Sequence, residues 1–332
     1  MVAKGEELVG YFYLLNRRRD CFFLSTLLCF SSTIELKRVK GTESLKPVEV
    51  VFLTYLLSSA LFIVLFRDQL QLWTGQIMIR ALVLFLIAFL VLLNQNRVVA
   101  FLRIFLPFFF LSYFYSETAL FHDLTFTEVL DQHFASMDQF IFGGQPSIYF
   151  SKNWNSPVFS ELMFFGYFSY YLMIVLVPVY IYFTRSKEIG EKIPFIIINS
   201  LLVYYLIFSF FPVVGPQYYF SKELINVPGG YVFEPLIRMI QQVAERPTGA
   251  FPSSHVSLCL MLVWMCYLYA RKWIFLVVPV AALLILSTVY IAAHYAIDVI
   301  GGILFTPIIY LFSAMLYDLL SKYHLNVVKS WK

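Results

Sequence analysis

Charge is what this chain has least of. Charged side chains make up 13% of its 332 residues, about half the share of an ordinary soluble protein, and this excludes a soluble domain of such length. Cysteine is as sparse. The four present (Cys21, Cys29, Cys259, Cys266) lie in apolar stretches, with no C-x-x-C pair and no histidine at zinc spacing. Neither a disulfide framework nor a metal site is expected, and no cofactor. No ten-residue alternation of polar and apolar residues appears, which excludes a membrane β-barrel. Internal repeats and low-complexity segments are lacking. The net charge of +4 is too small to point to nucleic acid. The apolar stretch at 21–34 is short, rich in Ser and Thr, and has no small-residue cleavage site that would make it a signal peptide.

What is present is apolar length. Sixty per cent of the residues are hydrophobic and mean hydropathy is +0.77, as in a polytopic membrane protein. Eight segments, 48–66, 76–94, 98–116, 161–183, 193–212, 255–271, 273–292 and 296–318, are long enough to cross a bilayer as helices, the shortest only marginally. The expectation is an all-α bundle. Residues 1–47 form a cytosolic segment, 48–320 a transmembrane domain and 321–332 a cytosolic tail.

Basic residues orient it. Arg17, Arg18, Arg19, Lys37, Arg38, Lys40 and Lys46 precede the first span. Arg97, then Arg185, Lys187 and Lys192, then Arg271 and Lys272 occupy alternate loops, and Lys322, Lys329 and Lys332 follow the last span. The positive-inside rule places both termini in the cytosol and loops 117–160, 213–254 and 293–296 outside. The short flanks point to a bacterial inner membrane. In the first outer loop, Phe126, Val129, Leu130, His133, Phe134, Met137 and Phe140 recur at helical spacing opposite Thr127, Glu128, Asp131, Gln132, Ser136 and Asp138. That pattern reads as an amphipathic interfacial helix with its acids toward water, ended by Gly143-Gly144. The 213–254 loop, with Pro212, Gly215-Pro216, Pro228-Gly229-Gly230 and Pro235, reads as an ordered cap.

Of five histidines, two stand beside apolar runs on the outer face: His255, after Thr248-Gly249-Ala250-Phe251-Pro252-Ser253-Ser254, and His294, after Ser287-Thr288-Val289-Tyr290-Ile291-Ala292-Ala293. An ionisable group at a span's edge persists when it faces a cavity, a partner or a reaction. Asp298, four residues past His294, would share its helix face. It could accept one imidazole proton and aim the other nitrogen's lone pair at a substrate. Ser253 or Ser254 can cap the helix that begins here, leaving free N–H groups for a phosphate. His133 reads as structural, His122 and His324 as surface groups, and Arg80 and Arg103 as snorkelling or paired.

Pro252-Ser253-x-His255 followed by His294-x-x-x-Asp298 resembles the second and third signatures of the type II phosphatidate phosphatase superfamily. The longer strings over 246–301 are similar to its inositol phosphorylceramide synthase branch. The resemblance implies a six-helix core, here with two added N-terminal helices, and a metal-independent reaction. By it, His294 would attack a lipid phosphodiester and become a phosphohistidine. Asp298 would orient it, and His255 would protonate the leaving alkoxide and then activate the incoming hydroxyl. Two departures from the phosphatase pattern stand out. Thr288 replaces the third-signature arginine, and Met239 stands where the first signature, ending in Arg246-Pro247, has lysine. Arg246 is then the main candidate for phosphate, with Arg238 and Lys222 behind it. Fewer cations suit a diester better than a monoester.

The expected function is therefore transfer of a phospho-headgroup from a phospholipid donor to a lipid hydroxyl such as a ceramide. The alternatives are a lipid phosphate phosphatase with water as acceptor, and a non-catalytic transporter or scaffold. The last would spread ionisable groups along several spans, whereas here they gather at one depth.

Overall fold

A computed structural model describes residues 45–330 apart from 94–95, 126–127, 226 and 245, with the side chains of 125, 244 and 323–330 also left aside. The basic cluster before Lys46 and the 21–34 stretch lie outside the described residues. So do Phe126, Thr127 and the side chain of His324.

All eight expected spans are helices. They are α1 (Pro47–Leu65), α2 (Trp73–Leu92), α3 (Arg97–Thr125), α6 (Pro157–Thr184), α7 (Lys187–Phe210), α10 (Ser254–Tyr269), α11 (Ile274–Tyr290) and α12 (Ala296–Ser330). Between them lie α4 (Asp131–Phe142), α5 (Pro146–Asn153), the single turn α8 (Pro216–Tyr219) and α9 (Phe233–Ala244). No strand occurs among the described residues. Seven of the helices are long and apolar enough to cross a membrane; α10 is shorter. The molecule is a multi-pass membrane helix bundle.

The short helix is the central one. α10 packs against α6, α7, α11 and α12, and Val256, Leu258, Cys259, Leu262 and Met265 on it are fully buried. Sixteen residues rise only ~24 Å, against ~30 Å of bilayer hydrocarbon. That shortfall leaves room for a loop to fold down at its N-terminal end. α12 crosses it closely at Gly302, where a Cβ would stand 2.6 Å from the Ser253 carbonyl oxygen.

The two N-terminal spans dock through ions. Arg103 of α3 binds Glu49 of α1 with both Nε and Nη2 at 2.7 Å. Arg80 of α2 holds both oxygens of Glu117 on α3. Lys46 reaches Glu191 on α7 at 2.8 Å. Arg80, Arg103, Glu49 and Glu117 are each at most 3% exposed. Such pairs have to be matched, because a lone charge in hydrocarbon is costly. Glu117, expected in an outer loop, belongs to a helix that runs nine residues past the end of the expected span.

Connectivity sorts the bundle's two ends. The turn after α6 and the one after α10 meet, with Arg185 Nε donating to the Tyr269 carbonyl at 2.7 Å. Lys46, Arg97, Lys187, Lys192, Arg271, Lys272 and Lys322 belong to that end. The segments carrying His255 and His294 are at the other.

Candidate active site

At that other end, α3, the 211–215 segment, the 248–253 loop and the turn between α11 and α12 converge. Thr248 is gripped by α3: its carbonyl accepts from Tyr115 Oη at 3.0 Å, and its hydroxyl lies 3.2 Å from Thr118 Oγ1 and 3.4 Å from His122 Nδ1. His122 is therefore buried, not a surface group, and its Nε2 meets Asp123 at 2.6 Å. Gly249 turns the chain at φ +74°, a conformation L-residues with a Cβ rarely adopt. Ala250 N–H donates to the Val213 carbonyl at 3.0 Å. Ser253 caps α10, its hydroxyl accepting from Val256 N–H at 3.4 Å. His255 follows in the first turn, half-buried against the rings of Tyr170 (4.4 Å between centroids) and Tyr167 (4.9 Å).

His294 arrives from the opposite side. It sits in the turn before α12, not on a helix, and its N–H donates to the Thr288 carbonyl at 3.0 Å. Ala292, two residues earlier, is held at φ +60°. The tertiary fold brings the two imidazoles together, with His294 Nε2 3.3 Å from His255 Nδ1. His294 Nδ1 lies 2.8 Å from the Ala250 carbonyl oxygen and 3.5 Å from Asp298 Oδ2. A carbonyl only accepts, so Nδ1 carries the proton and Nε2 presents its lone pair. The expected orientation is present, but its nearer partner is a main-chain carbonyl rather than the carboxylate. Asp298 Oδ2 instead accepts from Tyr295 N–H at 2.8 Å, and buried Oδ1 has no partner among the described residues.

A small cleft, open at its mouth, reaches both histidines. Tyr115, Tyr167, Tyr218, Gln217 and Arg246 are among the side chains that line it. Arg246, exposed at the rim, is the cation among these residues. Arg238 is elsewhere, bound to Glu234 and lying over the Phe164 ring. Lys222 is exposed and does not line the cleft. Ser253 and Ser254 are at most 5% exposed and do not line it either. Met239 points outward from α9, and Thr288 is fully buried. No group of three metal-ligating side chains occurs among the described residues.

Part of the 213–254 segment, expected as a cap, is tied to the bundle: Glu161 of α6 accepts N–H bonds from Tyr231, Val232 and Phe233 at 2.8–2.9 Å. The amphipathic helix before it is turned over. In α4, Asp131 and Asp138 are fully buried, while Met137, Phe140 and Ile141 are 45–90% exposed and His133 is exposed. The acids face inward because backbone N–H groups await them. Asp131 accepts from Val214 and Gly215 N–H at 2.9 Å and from Tyr295 Oη at 3.0 Å. Asp138 accepts from Ala296 and Ile297 N–H at 2.9 Å. Burial raises both carboxyls above their ordinary range, and these donors oppose the rise. The seven-residue spacing with buried Phe134 between was the available signal, since i, i+3 and i+7 share one helix face.

Residues 134–312, from α4 into α12 and including every motif residue, match the PAP2 superfamily. A PA-phosphatase related-family protein of Dictyostelium discoideum is 24% identical over 165 residues, which are 43% of this chain and 30% of that protein. The alignment thus spans less than a third of the relative's length. No solved structure matches. With paired imidazoles at the floor of a cleft in a membrane helix bundle, and a match over more than half its length, the chain belongs to the PAP2 superfamily of membrane phosphatase-type enzymes.

Proposed function

We propose that this chain transfers a phospho-headgroup from a glycerophospholipid to a lipid hydroxyl such as a ceramide, through a phosphohistidine at His294. The observation that carries the reading is the histidine pair: one imidazole with its lone pair fixed by Ala250, the other 3.3 Å away. Nε2 of His294 attacks phosphorus and the ester bond to the leaving alkoxide breaks. His255 gives that alkoxide its proton, then takes one from the acceptor hydroxyl as the P–N bond breaks. Asp298 stabilises the positive ring. In-line displacement puts the leaving oxygen on the far side of phosphorus from His294. The two rings, touching here, therefore part when substrate enters, and His255 moves along the faces of Tyr167 and Tyr170. Arg246 is the phosphate ligand, and the capped N-terminus of α10, with Ser253 and Ser254, lies behind the site.

Charge favours a diester donor. A monoester carries about half to one more negative charge near neutral pH, and Arg246 is the cation among the cleft-lining residues. The relative's description as PA-phosphatase related favours the competing reading, with water as acceptor. The gathering of basic residues at the end remote from the cleft supports a site on the non-cytosolic face.

The test is purified full-length protein with phosphatidylinositol, phosphatidylcholine and phosphatidate, each with and without ceramide, read by lipid mass spectrometry. A new phosphodiester on ceramide, reduced by Arg246→Ala in a folded protein, is the expected result. Efficient phosphate release from phosphatidate, with no new phospholipid in any mixture, would establish the phosphatase.

A further inference from the structure

Asp131 and Asp138 lie two turns apart on one face of α4, fully buried, and do not line the cleft. Between them they accept five hydrogen bonds, at 2.9–3.0 Å. The donors bracket His294. On one side, Val214 and Gly215 follow Val213, whose carbonyl holds Ala250 N–H, and the Ala250 carbonyl holds His294 Nδ1. A Cβ at Gly215 would stand 2.8 Å from the Ala293 carbonyl oxygen, so this segment lies directly against the His294 turn. On the other side, Tyr295, Ala296 and Ile297 are the three residues after His294. One helix therefore grips both the segment that holds the loop of the imidazole's acceptor and the backbone that carries the imidazole.

The first N–H groups of a helix have no partner within it. Asp138 supplies one to Ala296 and to Ile297. Without it, those donors lie near Asp298, whose Oδ1 is buried and unpartnered among the described residues. They would draw that carboxylate from its place 3.5 Å from His294 Nδ1.

We propose that α4 is a positioning clamp for the reaction, with Asp131 and Asp138 as positioning residues that fix His294 and its Ala250 acceptor without touching substrate. The inference rests on the reading of His294 as the reacting group. A merely structural cap would lower the melting temperature and leave the turnover of folded protein intact. A clamp sets kcat with little effect on KM.

The experiment uses the full chain in detergent, with phosphatidylinositol plus ceramide, and with phosphatidate, in mixed micelles, plus hydrogen exchange over 291–297. Variants are Asp138→Asn, Asp131→Asn, Tyr295→Phe and His294→Ala. The control is Asn199→Leu, which removes a buried bond to Ser313 at 2.9 Å, remote from the cleft. Asp138→Asn is expected to lower kcat about 30-fold with KM within about twofold, the scale of misplaced reacting groups. Exchange over 291–297 should rise about tenfold as that segment opens locally. Tyr295→Phe, losing one of the five bonds, should lower kcat by about threefold. Asn199→Leu should lower the melting temperature and change neither. Should Asp138→Asn not fold, Asp131→Asn and Tyr295→Phe are read on the same measurements. Wild-type kcat and exchange in folded clamp variants overturn the proposal. Turnover by His294→Ala overturns the underlying reading instead, and the exchange data still judge the clamp.

Discussion

Replacing Asp298 by Asn changes one charge and almost no volume. The Asn carbonyl oxygen can still accept the Tyr295 N–H that Asp298 Oδ2 accepts at 2.8 Å. The imidazole keeps its tautomer, because His294 Nδ1 is fixed by the Ala250 carbonyl at 2.8 Å. What disappears is a negative charge 3.5 Å from the ring nitrogen. Unit charges at that separation interact by about 4–5 kcal/mol at an effective dielectric constant of ~20. A transition state that places about half a positive charge on the ring loses about 2 kcal/mol, or roughly 30–100-fold in rate. The assay is kcat on the phospholipid the wild type turns over, with thermal unfolding as a check on folding. A carboxylate that alone sets the tautomer predicts far more, about 10⁴-fold as in serine-protease triads. A loss of that size would refute the assignment of orientation to Ala250, and no loss would refute the charge role of Asp298.

His294→Ala and His255→Ala should each abolish turnover in folded protein, and acid-labile phosphate should be trapped on the wild type but not on His294→Ala; near-normal activity of either variant would sink the two-imidazole mechanism. In intact cells, a membrane-impermeant thiol reagent should label a cysteine placed at exposed Glu223 and not one at Ser186, in a background lacking the native cysteines; the reverse pattern would put the cleft on the cytosolic face. Glu49→Gln removes the carboxylate charge that Arg103, 1% exposed, binds through two nitrogens, and should destabilise the bundle by about 3–5 kcal/mol, read as a lower unfolding temperature in detergent; an unchanged temperature would show that the α1–α3 ion pair does not hold that helix in place.

The sequence by itself determined the class and singled out the candidate residues for chemistry. A bilayer demands long apolar helices, and such runs are visible one segment at a time. His255, His294 and Asp298 were legible because ionisable groups beside those runs are rare, and all three meet at one end of the bundle. What the sequence could not decide is which partner each polar group finds. Asp131 and Asp138 read as a water-facing edge, yet the fold delivers five donors to them, so they are buried while Phe140 faces out. Tyr115 read as the end of a span, Thr118 as part of an outer loop and His122 as a surface group, yet they grip Thr248 across 126–133 residues of chain. Asp298 was legible as the histidine's neighbour by spacing alone. Only the tertiary structure brought the Ala250 carbonyl, 44 residues away, closer to the imidazole. The reason is common to all of these. Local periodicity records how one segment meets an average apolar environment. A buried hydrogen bond depends on a specific donor from a distant segment, and that donor exists only once the helices have packed.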